Sequence, residues 1–164
     1  MARVLIVGGG CRGRRLASAL VGADHAVRIT TRSESGRAAI EAVGAECWIG
    51  DPDRMSTMRL ALDRVTVACW LLGTASGDEA QLGSLFGTRL QYWLTQVIDT
   101  TVRGFVYESG GTVAPALLAA GEGLVATVCS LNAIPYELMS TAPGDRAWEA
   151  EALGAVESFL GVAG

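Results

Sequence analysis

The chain contains no lysine: all 13 of its basic residues are arginines, so chemistry that needs a lysine amine is not available to it. It has one histidine, His25, and a lone imidazole cannot build a metal cluster, so no metal site is expected. Four cysteines, Cys11, Cys47, Cys69 and Cys129, are widely spaced with no CxxC pair. Three of them lie in apolar surroundings, which points to buried free thiols in a reducing compartment rather than to disulfides or metal ligands. Long apolar runs are missing too. The run Val4 to Val7 is too short for a signal-peptide core, and no stretch approaches the roughly 20 apolar residues of a membrane span. A cytoplasmic protein without a membrane partner is expected. No repeat, low-complexity tract or linker interrupts the sequence, and its 164 residues suffice for one substantial core but not for two ordinary domains. Residues 1–164 are therefore expected to form a single domain.

Half of the residues are hydrophobic, 18% are charged and 21 are glycine, as in a compact globular domain and unlike a disordered one. The charge is unevenly placed. Residues 1–37 hold seven arginines against two acids, Asp24 and Glu34, whereas the remaining residues hold six arginines against fifteen acids. A globally acidic chain is a poor nucleic-acid binder, while a local arginine cluster suits a phosphate-bearing ligand.

The apolar pattern alternates between strand and helix along the whole length. Residues 3–7 (RVLIV) read as a buried parallel strand, and a helix from about Cys11 to Val21 stops at Gly22. A second strand spans His25 to Thr31, and a short helix capped by Ser33 or Ser35 runs to Val43 before Gly44. Glu46 to Ile49 forms a third strand. Asp51-Pro52 then offers an N-cap and a first-position proline for a helix to about Leu62. Val65 to Leu72 reads as a central strand. Ser76 and Glu79 form a capping-box pair ahead of a helix from Leu82 to Asp99, which Gly83 and Gly87 weaken and can split near Gly87. Gly104 to Tyr107 is a fifth strand. From Val113 to Asn132 the pattern admits one long helix or a short helix followed by a strand at Leu124 to Cys129. The long helix is preferred, since Ile134 to Met139 then supplies a sixth strand and Asp145 caps a final helix from Ala147 to Leu160. Such alternation implies a parallel sheet with helices on both faces, doubly wound and Rossmann-like, with six strands in the order 3-2-1-4-5-6.

Gly8, Gly10 and Gly13 satisfy GxGxxG directly between the first strand and the first helix, the context that motif requires. Gly8 permits the tight turn, Gly10 lets the backbone approach a pyrophosphate, and Gly13 lets helix and strand pack closely. The helix amino terminus then offers free N–H groups and a partial positive charge to the phosphates. A dinucleotide is the expected ligand. An NAD site usually places an acid about 20 residues further on, for the ribose 2′-hydroxyl. Here that position falls at Thr31-Arg32-Ser33, where Arg32 can pair with a 2′-phosphate, so NADP is expected over NAD. Arg12, Arg14 or Arg37 could add to that pairing. Asp51 can reach the adenine edge or serve as a helix cap. Cys11 and Arg12 lie within the loop, where the helix terminus and the arginine would favour a Cys11 thiolate, although Cys11 reads first as a small residue that fits the tight turn.

Several segments follow the loop in a characteristic order: Gly50-Asp51-Pro52, Leu72-Gly73-Thr74-Ala75, Gly87-Thr88-Arg89-Leu90 and Gly104-Phe105-Val106-Tyr107-Glu108-Ser109. With these, the chain resembles the extended and atypical branch of the short-chain dehydrogenase/reductase superfamily. The resemblance implies a nicotinamide running past Gly73 and Thr74 toward Ser109, the one candidate catalytic residue. It also implies a Tyr acid/base with a Lys four residues later, yet there is no lysine here, and neither Tyr92 nor Tyr136 stands in the required place. Extended members carry a carboxy-terminal substrate domain for which no residues remain. Two readings compete: an NADP-dependent oxidoreductase acting on a small molecule without the Tyr/Lys pair, and a non-catalytic NADP-binding redox sensor or partner subunit. The resemblance further implies a homodimer through the fourth and fifth helices, where Trp93 and an alanine-rich face could meet a twofold mate.

Overall fold

Val4, Leu5, Ile6 and Val7 are consecutive and all fully buried, so the strand they form must be covered on both faces. That requirement organises the molecule. The computed structural model describes residues 2–8 and 10–160. It contains strands β1 (Arg3–Gly8), β2 (Ala26–Thr31), β3 (Glu46–Ile49), β4 (Val67–Leu71), β5 (Gly104–Glu108) and β6 (Tyr136–Met139). Between and after them come helices α1 (Gly10–Gly22), α2 (Arg37–Ala42), α3 (Glu79–Leu85), α4 (Thr88–Ile98), α5 (Pro115–Leu131) and α6 (Ala147–Phe159). The strands form one sheet in the order 3-2-1-4-5-6, as anticipated, and every pairing is parallel.

Alternate residues of each strand face opposite layers. Val4, Ile6, Val67, Cys69 and Val106 pack against Leu16, Ala17 and Leu20 of α1, Ile40 of α2, and Trp148, Ala152 and Val156 of α6. On the other face Leu5, Val7, Trp70, Phe105 and Tyr107 meet Leu90, Trp93, Leu94 and Val97 of α4 and Leu118, Val125 and Cys129 of α5. Trp93 is fully buried in its own core, so it is not the surface residue that a twofold contact would need. Among the described residues no helix is long and apolar enough to cross a membrane.

Several local expectations are corrected. The segment after Asp51 is not an α-helix but two 3-10 turns, Met55–Thr57 and Arg59–Leu62. The Asp51 carboxylate accepts the Asp53 N–H at 2.9 Å, and the Thr57 hydroxyl bonds to the Asp51 N–H and the Arg54 carbonyl, which holds the chain in turns. The capping box before α3 consists of Asp78 and Gln81, each side chain bonded to the other's backbone N–H, two residues beyond the pair anticipated at Ser76 and Glu79. Neither Ser33 nor Ser35 caps α2; the two hydroxyls bond to each other at 2.6 Å.

The helix from residue 79 onward does divide at Gly87. A Cβ there would stand 2.7 Å from the Gly83 carbonyl oxygen, so the chain turns where only hydrogen fits. The ambiguous stretch is one helix, α5, opened by Pro115 at its first turn. Gly121 tolerates that helix because it faces Tyr107, whose hydroxyl donates to the Leu118 carbonyl at 2.7 Å. The N-cap of α6 is Arg146 rather than Asp145, one residue beyond the position anticipated, and the Asp145 carboxylate accepts the Ala147 N–H at 2.9 Å from just outside the helix.

Candidate functional site

The order 3-2-1-4-5-6 reverses direction between β1 and β4, and ligands of open α/β sheets bind in the crevice at that switch point, beyond the carboxyl ends of the strands. The glycine loop lies there. Gly8 ends β1 with φ +84° and Gly10 opens α1 with φ +52°, both left-handed values that glycine alone adopts cheaply. One turn on, a Cβ at Gly13 would stand 2.8 Å from the Gly8 carbonyl oxygen, so α1 approaches β1 as closely as backbone permits. Over Gly10 nothing lies within 4 Å of where a Cβ would be. Among the described residues no side chain accepts the first-turn amides of α1; the side chains that do accept backbone amides act elsewhere, such as Glu108 on Gly73 and Asp78 on Gln81. The helix mouth is open to an anion, and the residues present fit a diphosphate.

On the β2 side of the mouth is a cleft of about 220 Å³ lined by Gly8, Gly10, Arg14, Ile29, Thr30, Thr31, Gly36 and Ile40. A larger groove of about 570 Å³ runs between Arg59 and Thr100, near the start of β4 and β5 and away from the strand ends that build ligand sites. Arg32 leaves β2 beside the cleft and reaches Asp51 at 3.4 Å and Asp53 at 3.6 Å. These contacts are long and the Arg32 side chain is more than half exposed, so the pairing is weak, of order 0–1 kcal/mol.

On the other side of the switch point the sequence reading missed the central group. Glu108 ends β5 and is fully buried. Its Oε1 accepts the Gly73 N–H at 2.8 Å, and its Oε2 accepts Trp148 Nε1 at 2.7 Å and Arg12 Nη1 at 2.5 Å. Arg12 also donates from Nη2 to the Thr74 hydroxyl at 2.9 Å, and its guanidinium lies 4.7 Å from the Trp148 ring centroid. One carboxylate thus joins the first turn of α1, the exit of β4 and the first turn of α6. The signal that could have found it is a charged residue closing an otherwise apolar strand, GFVYE.

Other candidates are engaged differently from expectation. Arg12 turns away from Cys11, which is exposed and instead receives Arg14 Nη2 at 3.1 Å. The Ser109 hydroxyl donates to the Met139 carbonyl at 2.9 Å, and its N–H does so at 2.8 Å. Tyr107 is buried with its hydroxyl committed to Leu118; burial, with the charges of Glu122 and Glu108, pushes its phenol above the ordinary range. Tyr92 lies on α4, and Tyr136 is half-buried on the edge strand β6.

No protein-family model and no curated protein matches the sequence. Solved structures do match. A putative NAD-dependent epimerase/dehydratase from Bacillus halodurans superposes with a TM-score of 0.72 at 17% identity, over 87% of this chain and 71% of its own. A short-chain dehydrogenase/reductase superfamily protein from Agrobacterium tumefaciens with bound NAD gives 0.69 at 19%, over 84% and 48%. The shared fold is the doubly wound, Rossmann-like sheet described above. A triphenylmethane reductase from Citrobacter sp. complexed with NADP(H) gives 0.63 at 17%, over 85% and 49%. At these identities the likeness is one of fold, and this chain spans about half the length of the latter two.

Most of the amino-terminal arginines are engaged within the protein. Five of the seven pair with carboxylates: Arg3 and Arg28 with Glu46, Arg12 with Glu108, Arg32 with Asp51 and Asp53, and Arg37 with Glu34 and Glu41. Arg28 is buried, donates also to the Ala61 and Asp63 carbonyls, and lies 5.3 Å from the Trp48 ring. Its work is to tie β2 to the turn before β4. Hydrogen bonds from Arg37 hold the Glu34 carboxyl below its usual range.

Proposed function

We propose that this chain is an NADP-preferring dinucleotide-binding protein that reports the state of its cofactor rather than turning over a substrate. The observation that carries the binding half is the open helix mouth over Gly10, with Gly8 and Gly13 holding β1 and α1 at backbone contact. The diphosphate would lie across the amides of Gly10, Cys11, Arg12 and Gly13. The adenosine would enter the cleft beside Thr31, with Asp51 near the adenine edge, and the nicotinamide would run past Gly73 and Thr74. The cofactor would supply hydride chemistry when bound; the chain's own residues bind and orient it. Among the described residues, the two hydroxyls that could serve as acid/base groups there are engaged within the protein. Ser109 donates its hydroxyl hydrogen to Met139, and Tyr107 is sealed beneath α5, which supports a sensor or partner subunit.

Preference for NADP rests on Arg32, with the Ser33 and Ser35 hydroxyls beside it. A guanidinium–phosphate pair is worth roughly 2 kcal/mol, and releasing Arg32 from Asp51 and Asp53 costs a fraction of that. The net preference is about 10-fold. Titration of NADPH and NADH should show it in the wild type, and Arg32→Ala should bring the two affinities together. Equal affinities in the wild type would remove the NADP assignment.

The oxidoreductase reading is supported by the NADP(H)-complexed reductase among the fold neighbours. Hydride transfer needs chiefly proximity and cofactor orientation, so a tied Ser109 does not forbid it. A panel of quinones and carbonyls offered to the NADPH-loaded protein separates the two. Sustained NADPH oxidation would establish the enzyme, and inertness despite tight binding would establish the sensor.

A further inference from the structure

Arg12 stands in the half of the crevice that belongs to β4, β5 and β6. In a doubly wound sheet of this order each half takes one mononucleotide. The adenosine cleft lies on the β2 side, so the nicotinamide half is the one floored by Thr74 and Glu108, the two residues Arg12 binds. The guanidinium is fixed there from several directions: Glu108 beneath, Thr74 beside, and the Trp148 ring against its plane. It is also the outer member of its ion pair. Arg12 keeps 16% of its side-chain surface in solvent and Glu108 keeps none, so the end of the pair that meets solvent is the positive one.

A nicotinamide ring carries a positive charge when oxidised and none when reduced. We propose that Arg12, held by Glu108, makes this site discriminate the two redox states of the dinucleotide, favouring the reduced form. The inference rests on the dinucleotide reading above and gives it a purpose: occupancy then reports the ratio of NADPH to NADP⁺ rather than their sum. Glu108 offsets part of the guanidinium's field at a slightly greater distance. The expected discrimination is therefore modest, about 5-fold for a cation several ångströms away in a partly desolvated crevice.

The test is a calorimetric titration of NADPH and NADP⁺ against the full chain and its variants. The wild type should bind NADPH about 5-fold more tightly than NADP⁺. Glu108→Gln, which removes the countercharge and keeps one acceptor oxygen, should widen that ratio. The double variant Arg12→Met/Glu108→Gln, which leaves no unpaired buried charge, should bring it to unity, and Arg12→Lys should retain it. If Arg12 merely braced the loop or gripped the diphosphate, its loss would weaken both forms in parallel and leave the ratio unchanged, overturning the proposal. A wild type that binds both forms equally would overturn it as well. Failure to bind either form or NADH is a different result, which would remove the dinucleotide function itself.

Discussion

The Glu108 carboxylate is completely removed from solvent, and a buried carboxylate costs several kcal/mol unless it is paired and its lone pairs are used. Here the Gly73 amide, the Trp148 indole and the Arg12 guanidinium use them. Each donor comes from a different connection, so losing one exposes the cost of the rest. Trp148→Phe preserves a ring against Arg12 but deletes the indole N–H. It should lower unfolding stability by about 1.5–3 kcal/mol, the range for a hydrogen bond to a charged group, as measured by urea denaturation. A loss below about 0.5 kcal/mol would show that the indole bond does not count toward satisfying Glu108. The loop role of Arg12 was legible from its place within GxGxxG; its partner was not, because Glu108 is 96 positions away.

At the scale of the element, α5 shows how two glycines in one helix can have opposite meanings. A Cβ at Gly121 would collide with the Tyr107 hydroxyl, whereas at Gly123 it would meet nothing within 4 Å. Gly123→Ala should therefore stabilise the protein by about 0.5–1 kcal/mol, the helix-interior cost of glycine. Gly121→Ala should destabilise it by about 1–3 kcal/mol through overpacking against Tyr107. Paired denaturation curves of the two variants check the contrast, and a matching sign for both would contradict it. These same glycines left the stretch from Val113 to Asn132 open between helix and strand. Composition alone does not reveal that one glycine admits a tyrosine while the other faces empty space.

For the whole molecule, the buried acids make alkaline stability informative. Burial raises the thiols of Cys69 and Cys129, the latter to about 11, and desolvation likewise raises the Tyr107 phenol. In the unfolded chain these groups titrate near 9.0 for cysteine and 10.0 for tyrosine. Both states are protonated below those values, so the contribution to stability is complete there. As pH rises past them the unfolded chain gives up protons that the folded one keeps, and stability falls by up to about 1.4 kcal/mol per pH unit for each group. The melting temperature should hold steady near neutral pH and drop steeply above about pH 9, with Cys69→Ala showing a shallower drop. A pH profile identical in the wild type and Cys69→Ala would count against this account.

The linear pattern of residues determined the alternation of strands and helices, the parallel sheet and its order, and the glycine loop at the head of α1. The elements and the loop depend on neighbours within one helical turn or one strand, where side-chain periodicity and backbone freedom act directly, and the sheet order follows from the right-handed crossovers that such alternation requires. Tertiary structure decided which charges meet. Arg28 and Arg3 were drawn to Glu46, Arg32 to Asp51 and Asp53, and Arg12 to a carboxylate buried under two loops and a carboxy-terminal helix. Such pairings follow from which strand ends the crossovers bring side by side, and in the low-dielectric space between them an acid is stable only where a distant donor arrives to share its charge.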